Sequence, residues 1–462
     1  MKIKIKNLGI LKQAEFSLGD LTIICGENNT GKTYAAYALF GFLSSWRKYF
    51  SIDLKEQDVK KLIEDGIVHL DLLEYFEDSQ RLIDRGCQKY ARQLYQIFAS
   101  PSNRFENTEF KIEIDIKNDL LKKAYKSSIS LSNKEFCSIL KDENDSKLTF
   151  ALLSEEKMQV PQQIIEKIII DVLQDILFKI FFPNSFIASA ERTGTAIFRK
   201  ELNFARNRLL EELSQLDRSD DLNPIELLLK GYDDYALPIK RNVEFTRNLE
   251  SISKNTSFIA EKYQDFLRDF SDIIGGEYNV NQNGELSYTP KGEILNLSMP
   301  ESSSAVRSLL DIGFYLKHIA RVGDLLIVDE PELNLHPENQ RRIARLFVRL
   351  VNIGVKVFIT THSDYPIKEL NTLIMLNHDR PYLKKIAETE GYQPEELLAA
   401  DRVKLYVAEE VSGKLDDNEA DTHYHTLTPA NISPELGIEV TSFDRTIETM
   451  NRIQEAIIWG EE

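Results

Sequence analysis

Charged and apolar residues alternate from the start of the chain, with Lys2, Lys4 and Lys6 interleaved with Ile3 and Ile5. That alternation predicts a strand and lacks the apolar core of a secretory leader. Residues 1–25 read as two or three strands, with a turn at Leu8-Gly9-Ile10 and a last run, Leu21-Thr22-Ile23-Ile24-Cys25, that is almost continuously apolar. Such a run suits a strand buried on both faces. Ala35, Ala36, Ala38 and Leu39 then favour helix, and 40–100 keeps a helical period through Leu62, Ile63, Ile67, Leu70, Leu82, Ile83, Tyr90, Leu94 and Ile97 until Pro101-Ser102-Asn103 breaks it. Phe110, Ile112, Ile114 and Ile116 alternate strictly, and 127–131 and 148–153 are weaker strand candidates. Together they predict a small sheet with one solvated face.

A helix is expected at 164–182, and a short central strand at 185–190 that ends in Glu191-Arg192-Thr193-Gly194. Open α/β sheets place ligand contacts at such strand ends. Charged helical patterns at 196–216 and 243–274 follow, each about 30 to 45 Å long if continuous. They form either a short helical arm or a packed helical subdomain. Asn283-Gly284 marks a hairpin, and Ser302, Ser303 and Ser304 stand where they cap a helix over 305–321. Apolar strands at 325–328 and 355–360 precede a last region with helices at 382–388 and 394–400, a strand at 403–407, an acidic loop at 415–421 and an amphipathic helix at 446–459. The expected fold is α/β, a mixed β-sheet flanked by helices, with a helical and β insertion. Its divisions are core at 1–45, insertion at 46–181, a core strand at 182–195, the arm at 196–275, core again at 276–375 and a C-terminal α/β region at 376–462.

Composition narrows the partners. A formal charge of -17 on 462 residues argues against a protein that coats nucleic acid or an anionic membrane over its whole surface. Local basic stripes remain, at Arg192, Arg199, Lys200, Arg206 and Arg208 and at Arg341, Arg342, Arg345 and Arg349. The most apolar helical stretch carries Glu166, Lys167, Asp171, Asp175 and Lys179, which excludes a membrane span. Three widely spaced cysteines, Cys25, Cys87 and Cys137, indicate a reducing, cytoplasmic compartment.

The chemistry begins where the buried strand meets Gly26-Glu27-Asn28-Asn29-Thr30-Gly31-Lys32-Thr33 and then a helix. Strand, glycine-rich loop and helix in that order form a phosphate loop: backbone N–H groups and Lys32 face a polyphosphate, and the Thr33 hydroxyl ligates Mg²⁺. ATP and Mg²⁺ are the implied cofactors. Asp329 closes the strand at 325–328 and suits a metal, Glu330 suits the base that activates water, and Glu332 is the second choice for that base. The next strand ends in Thr361-His362-Ser363, where His362 is placed to contact a terminal phosphate. His423 and His425 form a weak metal candidate.

The phosphate loop near the N-terminus, the long insertion, Leu326-Ile327-Val328-Asp329-Glu330-Pro331-Glu332 and Thr361-His362-Ser363 together resemble the ABC/SMC-type ATPases of the RecF and OLD group. The resemblance implies an ABC-ATPase head, slow hydrolysis of ATP to ADP and phosphate, and nucleotide sandwiched between two heads. Ser302, Ser303 and Ser304 would then be the signature segment that meets the phosphates of the other head, although serine stands where the family has glycine. No family glutamine is placed; the loop after Ala190, with Arg192, is the nearest region. Thr361 through Asn371, with Gly437-Ile438-Glu439, Ser442-Phe443-Asp444, Ile447 and Asn451, is also similar to stand-alone ATPases of prokaryotic anti-phage operons. That similarity implies an oligomer built from ABC-type dimers, a hexamer being one such assembly. It also implies a TOPRIM-type nuclease partner held inactive, and a phage-encoded trigger. A RecF-like ATPase acting directly on DNA is the alternative, which leaves nucleic-acid binding open; a transporter ATPase subunit fits least.

Overall fold

The computed structural model describes residues 1–114, 123–131, 134–153, 161–198, 235–281, 284–415, 422–439 and 444–459. Arg199, Lys200, Arg206, Arg208, Asn283, Ser442 and most of the acidic loop at 415–421 lie outside them. The chain forms two compact units, one comprising Met1–Lys4, Phe42–Gln93 and Glu109–Pro183, the other Ile5–Gly41, Leu94–Thr108 and Asn184–Glu462.

The second unit is organised by a sheet of β1 (Lys2–Leu8), which begins in the first unit, β2 (Leu11–Ser17), β3 (Leu21–Cys25), β4 (Ser185–Ala188), β5 (Leu325–Asp329), β6 (Lys356–Thr361), β7 (Val403–Gly413) and β8 (Thr422–Pro429). Their spatial order is β1-β2-β8-β7-β3-β6-β5-β4. The strands β7, β3, β6, β5 and β4 run parallel, whereas β8 is antiparallel to β7. Parallel strands are covered on both faces, and every residue of β3 and β5 is buried. Each fully buried Leu, Ile or Val among them contributes about 1.5–3 kcal/mol. Register aligns Cys25 with Thr361 and Val407, Asp329 with Thr360, and Val328 with Ala188. All the chemistry-bearing strand ends therefore meet along one edge.

The strand expected at 403–407 is longer and lies inside this sheet, beside β3. Residues 376–462 were expected outside the core, yet β7 supplies part of it, because Val403 and Leu405 are apolar on the face that packs into the main cluster. The long helix expected at 243–274 is four short ones, Leu237–Arg247, Leu249–Ile252, Phe258–Lys262 and Gln264–Ile274. The polar run Ser253 to Ser257 interrupts it, and Ser257 Oγ caps the next helix by accepting from Ala260 N at 3.1 Å. Phe245, Leu249, Ile259, Phe266 and Phe270 bury in the same cluster as β3, so this part is a packed subdomain. The helix expected at 305–321 divides into Ser304–Ser308, Leu310–Phe314 and a π-helical turn at Tyr315–Ile319.

In the first unit, Phe42, Trp46, Phe50, Tyr90, Phe110, Phe178 and Phe182 form an aromatic core; Phe42 lies 5.2 Å from Phe182 and 5.4 Å from Phe110 between ring centroids. Gly86 is needed there, since a Cβ would sit 2.1 Å from Phe50 Cδ1. The buried Gln174 amide donates to Phe50 O at 2.6 Å and Arg47 O at 3.1 Å, satisfying carbonyls at the end of the helix Lys32–Tyr49. Its sheet has the order Ile67–Asp71, Lys147–Leu152, Lys134–Lys141, Tyr125–Leu131. Ile67–Asp71 was expected as helix, but Gly66 terminates the preceding helix in the left-handed region at φ 76° and the β-branched Ile67 and Val68 follow. Glu109–Glu113 does not join that sheet; it runs beside Met1–Lys4, where Lys4 Nζ lies 2.6 Å from Glu113 Oε1.

Candidate active site

The phosphate loop emerges between β3 and the helix Lys32–Tyr49. Its two glycines are required by both conformation and space. Gly26 has φ 145° and a Cβ there would lie 2.4 Å from Ala408 O of β7, while Gly31 has φ 97° and would meet Leu11 Cγ at 2.6 Å. Asn29 takes φ 63°, which asparagine tolerates better than most residues. Glu27, Asn28 and Asn29 are exposed, and Thr30 closes the turn with Oγ1 donating to Glu27 O at 2.8 Å. Lys32 is buried, its ammonium donating to Gly26 O at 2.9 Å and Glu27 O at 2.6 Å. Burial lowers its pKa, opposed by the Glu330, Asp329 and Glu332 carboxylates.

Thr33 Oγ1 lies 3.2 Å from Asp329 Oδ2 and 3.4 Å from Oδ1. Asp329 is 1% exposed, accepts from Thr360 Oγ1, and is pushed up to about 6 by burial. A hydroxyl and a carboxylate converging at the mouth of a phosphate loop are the hard oxygen donors that Mg²⁺ takes alongside substrate phosphates and water. The residues present therefore fit Mg²⁺ and a nucleotide triphosphate. His423 and His425 belong to no such set; among the described residues no group of three His, Cys, Asp or Glu is arranged for a metal.

Two carboxylates follow Asp329, and the structure separates their tasks. Glu332 Oε1 accepts from Thr361 Oγ1 at 2.7 Å and from His362 N at 2.9 Å, so it is committed to holding the end of β6. The Glu330 side chain is 24% exposed, with Oε1 3.4 Å from His362 Nδ1. His362 also lies 3.3 Å from Glu332 Oε1, so its ring sits between the two acids. Glu330 adopts φ 53°, a left-handed conformation that costs a non-glycine residue about 1–3 kcal/mol. Its N–H donates to Thr360 O at 3.0 Å, and its carbonyl accepts from Arg192 Nη2 at 2.8 Å.

Sequence reasoning missed the role of Arg192. Its side chain is 1% exposed and satisfied by backbone carbonyls: Nε donates to Ser308 O at 2.7 Å and Nη1 to Ser189 O at 2.8 Å and Asp329 O at 2.6 Å. It is unavailable to nucleic acid. Arg341 and Arg345 both pair with the buried Glu369, and Arg349 pairs with Asp265 and Asp269. The arginines proposed as a second basic stripe are thus engaged within the unit. Ser302 and Ser303 bond within their own turn, Ser302 Oγ donating to Ser298 O at 2.8 Å and Ser303 Oγ capping the helix by accepting from Val306 N at 3.3 Å, while Ser304 opens that helix. The structure does not bring these serines to the phosphate loop of the same chain. Nothing in the sequence pattern signals the Arg192 contacts, because their acceptors are main-chain atoms.

Beside Arg192 lies Asp311, fully buried and pushed up to about 7 by desolvation, with Thr246 Oγ1 donating to Oδ1 at 3.4 Å and Oδ2 unpartnered. A folded-state pKa above the ordinary 3.8 means that its stabilising contribution is complete below about pH 4 and is lost as pH rises through 7. Asp311→Asn is expected to be more stable than wild type at pH 8, by up to about 4 kcal/mol, a gap that narrows as pH falls and closes near pH 4. Scanning calorimetry at both pH values measures it, and a gap independent of pH would contradict the assignment.

Comparison with known proteins fits this geometry. A family model for the AAA ATPase domain matches residues 1–367. UvrABC system protein A of Thermus thermophilus is 23% identical over 139 residues, 30% of this chain and 13% of that protein. The energy-coupling factor transporter ATP-binding protein EcfA2 is 26% identical over 155 residues in Mesoplasma florum, covering 31% of this chain and 49% of that protein. In Mycoplasma capricolum it is 24% identical over 187 residues, covering 37% and 64%. The chain thus spans between 13% and 64% of the length of these relatives. Among solved structures, an Smc head bound to the C-winged helix domain of ScpA covers 93% of this chain and 97% of its own at 11% identity and TM-score 0.33. The SMC head domain from Thermotoga maritima covers 93% and 98% at 12% identity and TM-score 0.31. Among the described residues no helix is long and apolar enough to cross a membrane. The family match takes in the phosphate loop, Arg192, the acidic strand and His362, and the chain belongs to the AAA ATPase domain family.

Proposed function

We propose that this chain is the ATP-binding and ATP-hydrolysing sensor and scaffold of a prokaryotic anti-phage defence system, similar to AriA, the ATPase subunit of the PARIS system. On this reading it forms a homo-oligomer of ABC-type dimers, in the cytoplasm, that holds a TOPRIM-type nuclease inactive until a phage-encoded trigger is sensed. The observation that carries the reading is a contact between the two stretches that bear the similarity to defence ATPases. Asn371 Oδ1 accepts from Ile438 N at 2.7 Å, and it occupies the space that a Cβ on Gly437 would need, where φ is 69°. Residues far apart in sequence thus meet in one local structure, which supports reading the two stretches together.

In the hydrolytic cycle the loop N–H groups and Lys32 bind the phosphates, and Thr33 and Asp329 would hold Mg²⁺, which supplies charge neutralisation when bound. Glu330 takes the proton of the attacking water. His362, held by Glu332 through its N–H, would contact the terminal phosphate of a bound nucleotide. The signature serines would serve the other head of the dimer.

The test is mild affinity purification from the native operon at physiological salt, followed by intact mass and light scattering. A stoichiometric second protein carrying nuclease acids, on a scaffold larger than a dimer, is expected. A lone monomer or dimer that carries nucleic acid would overturn the scaffold reading in favour of an ATPase acting directly on DNA.

A further inference from the structure

Arg192 joins elements that are remote in sequence. Its guanidinium reaches the end of β4 through Ser189 O, the end of β5 through Asp329 O and Glu330 O, and the last residue of the helix Ser304–Ser308 through Ser308 O. That helix starts at the signature serines, and Glu330 is the one acid here with a left-handed backbone. A non-glycine residue keeps such a conformation only where its surroundings over-determine it. The Glu330 N–H donates to Thr360 O at 3.0 Å and Oγ1 at 3.3 Å, and its carbonyl accepts from Arg192 Nη2 at 2.8 Å and, within its own turn, from Leu333 N at 3.2 Å. Of these four contacts, Arg192 alone reaches it with a guanidinium fork from another element.

We infer that Arg192 is a positioning residue, which fixes the backbone of Glu330 and mechanically ties it to the signature helix, so that a contact made on Ser302–Ser304 is felt at the carboxylate. The inference rests on Glu330 being the base of the proposed function. Arginine is required because a planar guanidinium presents five donors in a fixed fork. A lysine ammonium has three donors at one point and cannot reach acceptors on three elements at once. Displacement of a catalytic group by about 1 Å costs roughly 10²-fold in rate, and nucleotide binding, which uses other atoms, is untouched.

The experiment compares the full chain as wild type, Arg192→Lys, Glu330→Gln and the double variant. The readouts are single-turnover hydrolysis of radiolabelled ATP with Mg²⁺, ATP affinity, and hydrogen exchange of peptides spanning 328–333 without nucleotide. Arg192→Lys is expected to lower the rate about 10²-fold, to leave ATP affinity within about threefold and to speed exchange at 328–333. In the Glu330→Gln background the same substitution should cost less than about threefold more, since residues acting as one unit are non-additive. An equal loss in both backgrounds, or a wild-type rate in folded Arg192→Lys, would overturn the inference. If Arg192→Lys does not fold, Arg192→Gln, neutral and cheaper to bury, is read by the same criteria. A wild-type rate for Glu330→Gln would instead remove the base on which the proposed function depends, and the inference with it. A slow Glu330→Gln beside a normal Arg192→Lys would remove this inference alone.

Discussion

Glu330→Gln is expected to slow single-turnover ATP hydrolysis by about 10²-fold or more while ATP affinity stays equal or rises. The substitution keeps volume and one acceptor oxygen, so β5 and its turn are undisturbed. What it removes is the lone pair that takes a proton from water. It also removes a negative charge from a site that already holds Asp329 and Glu332, which favours a polyanion. Glu332 cannot readily substitute, because Oε1 is occupied by Thr361 Oγ1 and His362 N and its side chain is 5% exposed. A near-normal rate for Glu330→Gln would move the base to another group and make Glu332 the first to test.

The parts of this molecule that were legible in the sequence are those whose signal is local. The run Leu21–Cys25, the glycines after it and the alanines of the following helix each carry their own signature, and the loop stands where they place it. Leu325–Asp329 likewise shows its burial in its composition. The contributions of β7 and Arg192 were not legible, because both depend on which strand neighbours which. Val403 to Val407 reads as a strand in isolation, but nothing in those residues says that it pairs with β3 and puts Ala408 O against Gly26. Arg192 looks like one more surface cation in a charged stretch until its four carbonyl acceptors are known. Helix lengths failed for a related reason: the period across 243–274 is helical throughout, yet the chain is reset at Asn248, at the Ser257 cap and at Tyr263.

Division of labour between acids shows the same limit. Asp329, Glu330 and Glu332 occupy alternate or adjacent positions, and composition ranks them only by distance from the strand. Register decides the matter. Asp329 lies opposite Thr360 and faces Thr33, Glu330 turns outward through a left-handed backbone, and Glu332 folds back onto Thr361 and His362.

Removing the charge of Lys32 should have the largest effect on binding. In Lys32→Met, ATP affinity is expected to fall by about 10²-fold or more, since each hydrogen bond from a charged donor is worth about 1.5–3 kcal/mol and every 1.4 kcal/mol is tenfold. Methionine keeps most of the aliphatic stem, so loss of packing does not explain the result, and Lys32→Ala should show the same loss of binding. Two opposing effects act on stability. The variant no longer buries an ammonium, which is favourable, but Gly26 O and Glu27 O lose their donor and the carboxylates of Asp329, Glu330 and Glu332 lose a nearby cation. Glu27 is exposed, so its carbonyl can turn to water, and the two effects should nearly cancel, leaving the thermal midpoint within a few degrees of wild type. Isothermal calorimetry with ATP and Mg²⁺, alongside a melting curve, separates the outcomes. Lost affinity in a folded variant places the triphosphate against Lys32, and normal affinity in the same variant would detach the phosphate loop from nucleotide binding and with it every role assigned to Thr33, Asp329 and Glu330.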